Sequence, residues 1–158
     1  MKKVFLAAVI CIAMGVSAVS AVEVGLGGGG GFNLPLPGGY GDVYAYALFP
    51  IKDFDIGVNF GYQSKLDSML FAGASGQYNF KFAGVPGLAL YPKVGIDFGF
   101  IITFGVDITA GGGVSYNFKD LIGFGLVVRG EVLFDLHMGF PLLIGVGPKF
   151  QGTIGFAF

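Results

Sequence analysis

The sequence predicts an all-β fold: a closed, eight-stranded, antiparallel transmembrane β-barrel with up-and-down meander topology, preceded by a cleavable signal helix. Three observations predict this fold. The 158-residue chain is 54% hydrophobic and only 12% charged, whereas a soluble domain carries about 25% charged residues. After residue 21, Gly and charged residues interrupt every run before it reaches the roughly 20 apolar residues of a membrane helix. Residue type instead alternates with the period of a β-strand.

The alternation keeps the same parity along most of the chain. After residue 21, fourteen of the seventeen charged residues are odd-numbered, and 21 of the 24 aromatic residues are even-numbered. A helix would mix the two parities within one turn. Most glycines share the odd face with the charges, so one face is bulky and apolar and the other is small or charged. This pattern is typical of a barrel with lipid outside and a narrow polar lumen inside. A Gly-rich, secreted, aggregating protein is the alternative.

The first 21 residues have the features of a secretory signal. Two lysines precede an apolar run, and small residues would allow cleavage after Ala18 or Ala21. We expect cleavage after Ala21, because the strand pattern begins at the next residue. The sequence therefore predicts a signal peptide at 1–21 and a β-barrel at 22–158. The only cysteine, Cys11, lies in the signal peptide, so the mature chain would contain no disulfide.

Turn-forming residues divide the mature chain into eight strands. Clusters of Pro, Gly, Asp and Ser follow most alternating segments, as turns require. Each strand with its turn then takes about 17 residues, which suits the roughly 9–11 residues that cross a bilayer when tilted. The predicted strands are 22–32, 40–49, 53–63, 69–82, 88–99, 104–118, 121–136 and 142–158.

Two features of the strand pattern are irregular. The connection at 100–103 contains no typical turn residues, but 88–118 is too long to be a single strand. Pro92 and Pro148 lie inside predicted strands, and each removes a backbone donor from the ladder. We expect a bulge or a strand end at each proline.

The last strand has the same register as the strands before it. Phe150, Ile154, Phe156 and Phe158 are even-numbered, and small or polar residues alternate with the last three of them. The strand could therefore pair with the first strand, at 22–32, and close the barrel. Closure is required because every backbone N–H and C=O group in hydrocarbon must be paired within the protein.

These features resemble the small bacterial outer-membrane barrels of the OmpA-barrel, OmpX and OmpW type. The resemblance covers nearly all of 22–158, and it rests on the leader, the eight alternating segments and Phe158. It implies location in the bacterial cell outer membrane, contact with outer-membrane lipid and recognition by the barrel assembly machinery. Ile154, Phe156 and Phe158 look like the C-terminal signal that this machinery reads. We also expect a monomer.

The chain departs from this class in having no Trp. An aromatic girdle at the membrane interface would therefore consist of Tyr and Phe. The tyrosines expected in this girdle are Tyr40, Tyr44, Tyr46, Tyr62, Tyr78 and Tyr116.

A group of charged residues is predicted near the middle of the lumen. One interpretation is a satisfied salt-bridge network, because charges in a tight interior must be paired. The other is a gate or a selectivity constriction on a narrow path. An eight-stranded barrel is only just wide enough for its own side chains, which argues against a general porin, although the many lumen glycines favour some free space. The residues are Asp97, Asp107, Arg129, Glu131 and Lys149.

The only histidine, His137, is the one candidate for catalysis. A lipid-modifying enzyme would need a Ser–His–acid arrangement, and Asp135 shares the parity of His137. We expect His137 to be a solvated residue of the connection at 137–141 instead, so no catalytic residue is predicted.

Composition excludes two other classes. One histidine and no mature cysteine cannot form a zinc site. After the signal peptide is removed, seven basic and ten acidic residues remain, which gives a net charge of −3. A nucleic-acid-binding protein would instead carry an excess of basic residues. The sequence thus predicts a non-enzymatic membrane barrel without metal or cofactor. Its role would be structural, or that of a narrow conduit for a small solute, an ion or a hydrophobic ligand.

Overall fold

The structure is a computed structural model that describes residues 22–35, 38–64, 68–100, 104–139 and 143–158. The predicted signal peptide at 1–21 lies outside these residues and stays a prediction. Most of the connection expected at 100–103 also lies outside them. Within the described residues, no helix is long and apolar enough to cross a membrane.

The described residues form nine β-strands and one short helix. Only Asn79 separates β4 from β5, and both pair with β6, so the two occupy one position in the wall and the barrel has eight positions. Each of the eight predicted strands overlaps an observed one. The elements are β1 (Glu23–Phe32), β2 (Gly39–Ile51), β3 (Phe54–Ser64), β4 (Ser68–Tyr78), β5 (Phe80–Lys81), β6 (Leu88–Phe100), β7 (Gly105–Asn117), α1 (Lys119–Ile122), β8 (Gly125–Gly139) and β9 (Leu143–Ala157).

The sheet closes on itself, as predicted. Each strand position pairs antiparallel with its neighbours in the chain, and β1 also pairs with β9. This last pairing runs from Glu23 opposite Ala157 to Gly31 opposite Lys149. Closure pairs the first strand with the last, so that neither is left with an unpaired edge. The fold is therefore a closed, eight-stranded, up-and-down antiparallel barrel.

The two prolines that the sequence places inside strands, Pro92 and Pro148, interrupt the ladder on one side only. Pro92 keeps its pairing with β7, but the pairing of β6 with β4 stops at Lys93 and resumes with β5 at Leu90. Pro148 keeps its pairing with β8, while the continuous ladder between β9 and β1 stops at Lys149. The register of the paired strands is the same before and after each of these two interruptions. The prediction of a bulge or a strand end at each proline is therefore wrong. The missing N–H of proline removes one hydrogen bond to one neighbouring strand, and the strand that contains the proline continues.

β2 is out of phase with the other long strands. Its lumen-facing residues are even-numbered, whereas elsewhere the odd-numbered residues face the lumen, as predicted. The cause is the length of the two connections that flank β2. Six residues separate the paired Phe32 and Gly39, and two separate the paired Ile51 and Phe54. Directly paired residues face the same side of a sheet, so a connection with an even number of residues reverses the parity.

The phase of β2 corrects the predicted aromatic girdle. Three of its six tyrosines face the lumen, namely Tyr40, Tyr44 and Tyr46. The expectation was wrong for these three, because it assumed one parity for every strand. Tyr62 and Tyr78 are exposed on the outer wall, and Tyr116 is half-buried.

The outer wall of the barrel is apolar. Large hydrophobic side chains are exposed on it along its length, among them Leu26, Phe134 and Ile154. An apolar wall around a charged interior is the arrangement of a barrel that spans a bilayer. The exposed charged side chains of the described residues all lie in turns or at element ends, at Lys52, Asp53, Lys81 and Lys119.

The two ends of the barrel differ. The end that carries Val22 and Phe158, here called the terminal end, also carries the β2–β3 and β5–β6 turns and α1. This helix occupies the gap at 119–120 between two predicted strands and the first two residues of the strand predicted at 121–136, which therefore begins later, at Gly125. The opposite end is called the far end. β8 extends to Gly139 at this end, beyond the predicted limit of 136, so His137 belongs to the strand and not to a connection.

Candidate functional site

The candidate site is the barrel lumen, where three Lys or Arg ion pairs of the described residues lie at successive levels. Nearest the terminal end, Arg129 of β8 donates from Nε to Oε1 of Glu23 in β1 at 3.0 Å, and its Nη2 also contacts the other carboxylate oxygen. Two donors on one carboxylate form the bidentate geometry that makes Arg–carboxylate pairs strong. The guanidinium carbon of Arg129 also lies 5.4 Å from the centre of the Tyr91 ring, which adds a cation–π contact.

The second ion pair joins β6 to β8. The Lys93 ammonium lies 2.8 Å from Oε2 and 3.0 Å from Oε1 of Glu131. The Tyr91 hydroxyl donates to the same carboxylate at 2.9 Å. Glu131 is therefore compensated by one charge and one further donor, as a buried carboxylate requires.

The third ion pair joins β9 to β2. Lys149 Nζ lies 2.7 Å from Oδ2 of Asp42, and both side chains are almost completely buried. Gln151 donates to the same oxygen at 3.2 Å. This pair exists only because the phase of β2 turns Asp42 into the lumen.

His137 is buried and not solvated, which corrects the expectation for it. Its Nδ1 lies 2.6 Å from Oδ1 of Asp107, the residue directly opposite on β7. The expectation failed because β8 continues through His137, where odd parity directs the side chain inward. Asp135 accepts hydrogen bonds from Asn33 at 3.1 Å and from Tyr40 at 2.8 Å, so several polar groups fill the far end of the lumen.

Asp97 differs from the other predicted lumen residues. Its Oδ1 accepts a hydrogen bond from Asn59 Nδ2 at 2.9 Å, across the face of β4. Among the described residues, no ammonium or guanidinium group lies within ion-pair distance of it. Asp97 is thus a buried carboxylate that accepts its hydrogen bond from a neutral donor.

The lumen glycines are covered by side chains or backbone of other strands, tyrosine rings among them, and do not create free space. A Cβ atom at Gly27 would overlap the ring of Tyr44, and one at Gly113 would lie 2.7 Å from the hydroxyl of Tyr91. The expectation that these glycines leave room is therefore wrong. Glycine allows the close approach of a ring to the backbone, and large side chains from other strands occupy the volume.

The described residues enclose a small central chamber and a wider vestibule in the lumen. A central chamber of about 40 Å³ lies between the levels of the ion pairs, lined among others by Tyr44, Asn59 and Asp97. A wider vestibule of about 470 Å³ opens near the terminal end, with Asp55 and Phe82 among its lining residues. Since one water molecule needs roughly 10–15 Å³ measured in this way, the chamber has room for only a few waters.

The five predicted lumen charges all lie in the lumen, but they do not pair with one another. Their partners are Glu23, Lys93, Asp42, His137 and Asn59. The odd parity of Glu23, Lys93 and Asn59 already indicated an inward position. One sequence feature of Asp42 and the β2 tyrosines also indicated that they share a face. They form an unbroken run of polar and aromatic residues at even-numbered positions. This run conflicted with the assumption that odd-numbered residues face the lumen in every strand.

The residues of the predicted assembly signal all face outward. Ile154, Phe156 and Phe158 are 52%, 46% and 79% exposed. An exposed apolar row on the closing strand is compatible with recognition by another protein, and the role stays a prediction. Within the described part of the chain, no cluster of three or more His, Cys, Asp or Glu side chains could hold a metal ion.

Three solved structures have the same architecture. The N-terminal β-barrel domain of Pseudomonas aeruginosa OprF superimposes with a TM-score of 0.53 at 15% identity, covering 89% of this chain and 98% of that domain. Neisserial surface protein A superimposes with a TM-score of 0.50 at 11% identity, covering 87% of this chain and 94% of that chain. A de novo designed transmembrane β-barrel superimposes with a TM-score of 0.52 at 18% identity, covering 87% of this chain and 95% of that chain.

These similarities concern the fold. Neither a protein-family model nor a curated protein sequence matches the chain. The chain has the fold of the small outer-membrane barrels that its sequence resembles, and the likeness extends over nearly the whole length of each barrel.

Proposed function

We propose that the protein is a non-enzymatic, structural barrel of the bacterial outer membrane, with a lumen that its own side chains close. The observation that supports this proposal is the filling of the lumen. Three ion pairs and several tyrosine rings cross it, and the central chamber measures only about 40 Å³. A path for solutes would require these groups to move apart.

The buried ion pairs also support a closed resting state. Separating one pair inside the lumen would leave two uncompensated charges, and losing one partner of such a pair typically costs about 3–5 kcal/mol. The narrow-conduit alternative, in which the same charges act as a gate, would therefore need a transition that replaces each partner by water or by another charge.

The lipid-modifying enzyme is less well supported. The Asp107–His137 pair has the geometry of the acid–base half of a catalytic triad. It lies inside the lumen, however, where His137 is 7% exposed, while lipid contacts the opposite face of the wall. An acyl chain would have to cross the strand ladder to reach the imidazole.

The apolar outer wall supports outer-membrane lipid as the principal partner. We further propose that the barrel is inserted as a monomer by the barrel assembly machinery, with Ile154, Phe156 and Phe158 as the recognised row. The exposure of these three side chains on the closing strand supports this assignment.

Planar-bilayer recording tests the closed lumen. We expect refolded wild-type protein to insert without producing stable conductance steps, because ion pairs and tyrosine rings of the described residues cross the lumen. Arg129→Ala removes one ion pair at the terminal end and should still leave the other two levels closed. The matched control is Lys81→Ala, which removes the exposed pair with Asp53 outside the lumen.

Reproducible steps from the wild-type protein would contradict the structural role and favour the conduit. If steps occur only in the Arg129→Ala variant, the Glu23 pair is the gate of a conduit. Unchanged lipid composition in cells with and without the protein would remove the enzymatic alternative.

A further inference from the structure

Three buried donor groups of the central chamber have no hydrogen-bond partner among the described residues. They are the hydroxyl of Tyr44, the hydroxyl of Thr153 and Nη1 of Arg129. All three side chains are more than nine-tenths buried. Because buried polar atoms are nearly always satisfied, these groups point to a bound molecule that accepts hydrogen bonds.

The three donors lie side by side on one wall of the barrel. Gly27 of β1 is directly opposite Thr153 of β9, which in turn is directly opposite Arg129 of β8. The Tyr44 hydroxyl lies over Gly27, 2.7 Å from the position of a Cβ atom there. Directly opposed residues have Cβ positions only about 4.5–5.5 Å apart, so one small molecule can reach more than one of these donors.

Acceptor oxygens face the chamber from the opposite wall. Oδ1 of Asn59 has no partner among the described residues, and Oδ1 of Asp97 accepts a hydrogen bond from Asn59 Nδ2 at 2.9 Å. Both oxygens lie over Gly73 of β4, which is four strand positions from β9 in either direction around the barrel. The chamber therefore has donors on one side and acceptors on the other.

The charges around the chamber select a neutral ligand. A cation would be repelled by the guanidinium of Arg129, which has donors but no acceptor. An anion would be repelled by the carboxylates of Asp97 and Glu131, which line the same chamber. The lining bases do not offset this repulsion, because Arg129, Lys93 and Lys149 are each paired with a carboxylate.

The size of the chamber and its two polar walls identify the neutral ligand as water. The ligand must accept hydrogen bonds from one wall and donate them to the other, and water does both. A buried water molecule typically makes about three hydrogen bonds to polar groups that would otherwise be unsatisfied. The volume of about 40 Å³ holds roughly three waters, at roughly 10–15 Å³ each.

We propose that the central chamber binds an ordered cluster of roughly three water molecules. The cluster accepts hydrogen bonds from Tyr44, Thr153 and Arg129, and it donates hydrogen bonds to Asn59 and Asp97. It is an internal ligand that joins opposite walls and stabilises the folded barrel. This proposal rests on the closed lumen proposed above. Conductance tests whether the lumen is closed, whereas the measurements below test the water cluster, so the two proposals fail separately.

The direction of the stability change on removing one hydroxyl tests the cluster. Tyr44→Phe and Thr153→Val each remove a hydroxyl and keep the shape of the side chain. If water accepts the hydrogen bond, its loss lowers the urea unfolding midpoint of the refolded barrel. A hydroxyl buried without any partner would instead cost stability, and its removal would raise the midpoint. We expect a lower midpoint in both variants.

Tyr62→Phe is the matched control, because Tyr62 is 42% exposed on the outer wall. This variant removes a hydroxyl that does not face the chamber, so its unfolding midpoint should equal that of wild type. A midpoint that is unchanged or higher in either Tyr44→Phe or Thr153→Val would overturn the proposal.

Nuclear magnetic resonance of the labelled wild-type barrel in micelles gives a second measurement that needs no variant. Rotating-frame cross-relaxation should connect water to the side-chain amide protons of Asn59, with the sign of water that tumbles together with the protein. This side chain lines the chamber and lies behind the strand wall. The absence of this cross-peak would overturn the proposal, even if both hydroxyl variants failed to refold.

Discussion

Glycine has opposite roles on the two faces of this barrel wall. Gly27 faces the lumen, and the nearest atoms to a Cβ at this position all belong to Tyr44. Gly130 faces outward, and nothing lies within 4 Å of a Cβ there. The first glycine is required by a ring that packs against the backbone, whereas the second has no steric reason to be glycine.

This contrast predicts the effect of adding one methyl group. Gly27→Ala should destabilise the barrel by about 1–3 kcal/mol, the usual range for overpacking, because the buried Tyr44 ring has to shift. Gly130→Ala should be neutral or stabilising by about 0.5–1 kcal/mol, because alanine loses less backbone freedom on folding. Urea unfolding of the refolded variants measures both.

A double-mutant cycle identifies the contact responsible. In a Tyr44→Ala background, most of the cost of Gly27→Ala should disappear, because the ring is gone. An equal cost with and without the ring would mean that the glycine is needed for another reason.

At the scale of the element, β2 is the strand whose orientation depends on its connections. Its residues alternate as regularly as those of any other strand, so periodicity alone does not reveal its phase. The even-length connections on both sides set it, and they bring Tyr44 and Asp42 inward and Val43 outward. The pair with Lys149 and the tyrosine filling of the lumen follow from this phase.

Single tryptophans can report the phase of β2 directly, because the chain contains no Trp. Val43, which is 62% exposed, faces lipid, and Tyr44 faces the lumen. In bilayers that contain brominated lipid, fluorescence of the Val43→Trp variant should be strongly quenched. Fluorescence of Tyr44→Trp should be quenched several-fold less, because the wall separates the indole from the lipid tails.

The reverse result, with quenching of Tyr44→Trp alone, would mean that β2 follows the common parity and that its register is shifted by one residue. Phe60→Trp on β3 is the control for a lipid-facing position whose parity is not in question.

At the scale of the whole molecule, stability depends on closure between β1 and β9. The seam joins residues 118 to 134 positions apart, from Glu23 opposite Ala157 to Gly31 opposite Lys149, and it includes the glycine run of β1. If the seam opens, backbone groups of both strands lose their partners in a medium that cannot replace them.

Closure predicts a difference in gel mobility. Unboiled barrel should migrate faster than boiled, unfolded chain in a detergent gel. Ile154→Pro removes one ladder donor from the part of β9 that pairs with both β1 and β8, and it should abolish the fast form or shift its loss to a temperature lower by several degrees. Ile154→Val keeps the donor and should behave as wild type. Identical migration of boiled and unboiled wild-type protein, together with fibres, would support the aggregating alternative.

The sequence by itself determined the strand number, the polar inside and apolar outside, and the pairing of the first strand with the last. These features follow from the alternation of side chains along an extended backbone and from the need to pair every backbone group in lipid. Both are local or general constraints, so they can be read without a structure. The sequence also determined, by the same alternation, which charged residues face the lumen, namely Asp97, Asp107, Arg129, Glu131 and Lys149.

Only the tertiary structure decided the phase of β2, the burial of His137 and the partner of each charge. The Lys149–Asp42 and Arg129–Glu23 pairs join residues about a hundred positions apart, and alternation says which face a residue occupies but not what stands across the lumen from it. Tyrosine rings filled the volume that glycine suggested was free, because the space inside a closed barrel is shared by all of its strands.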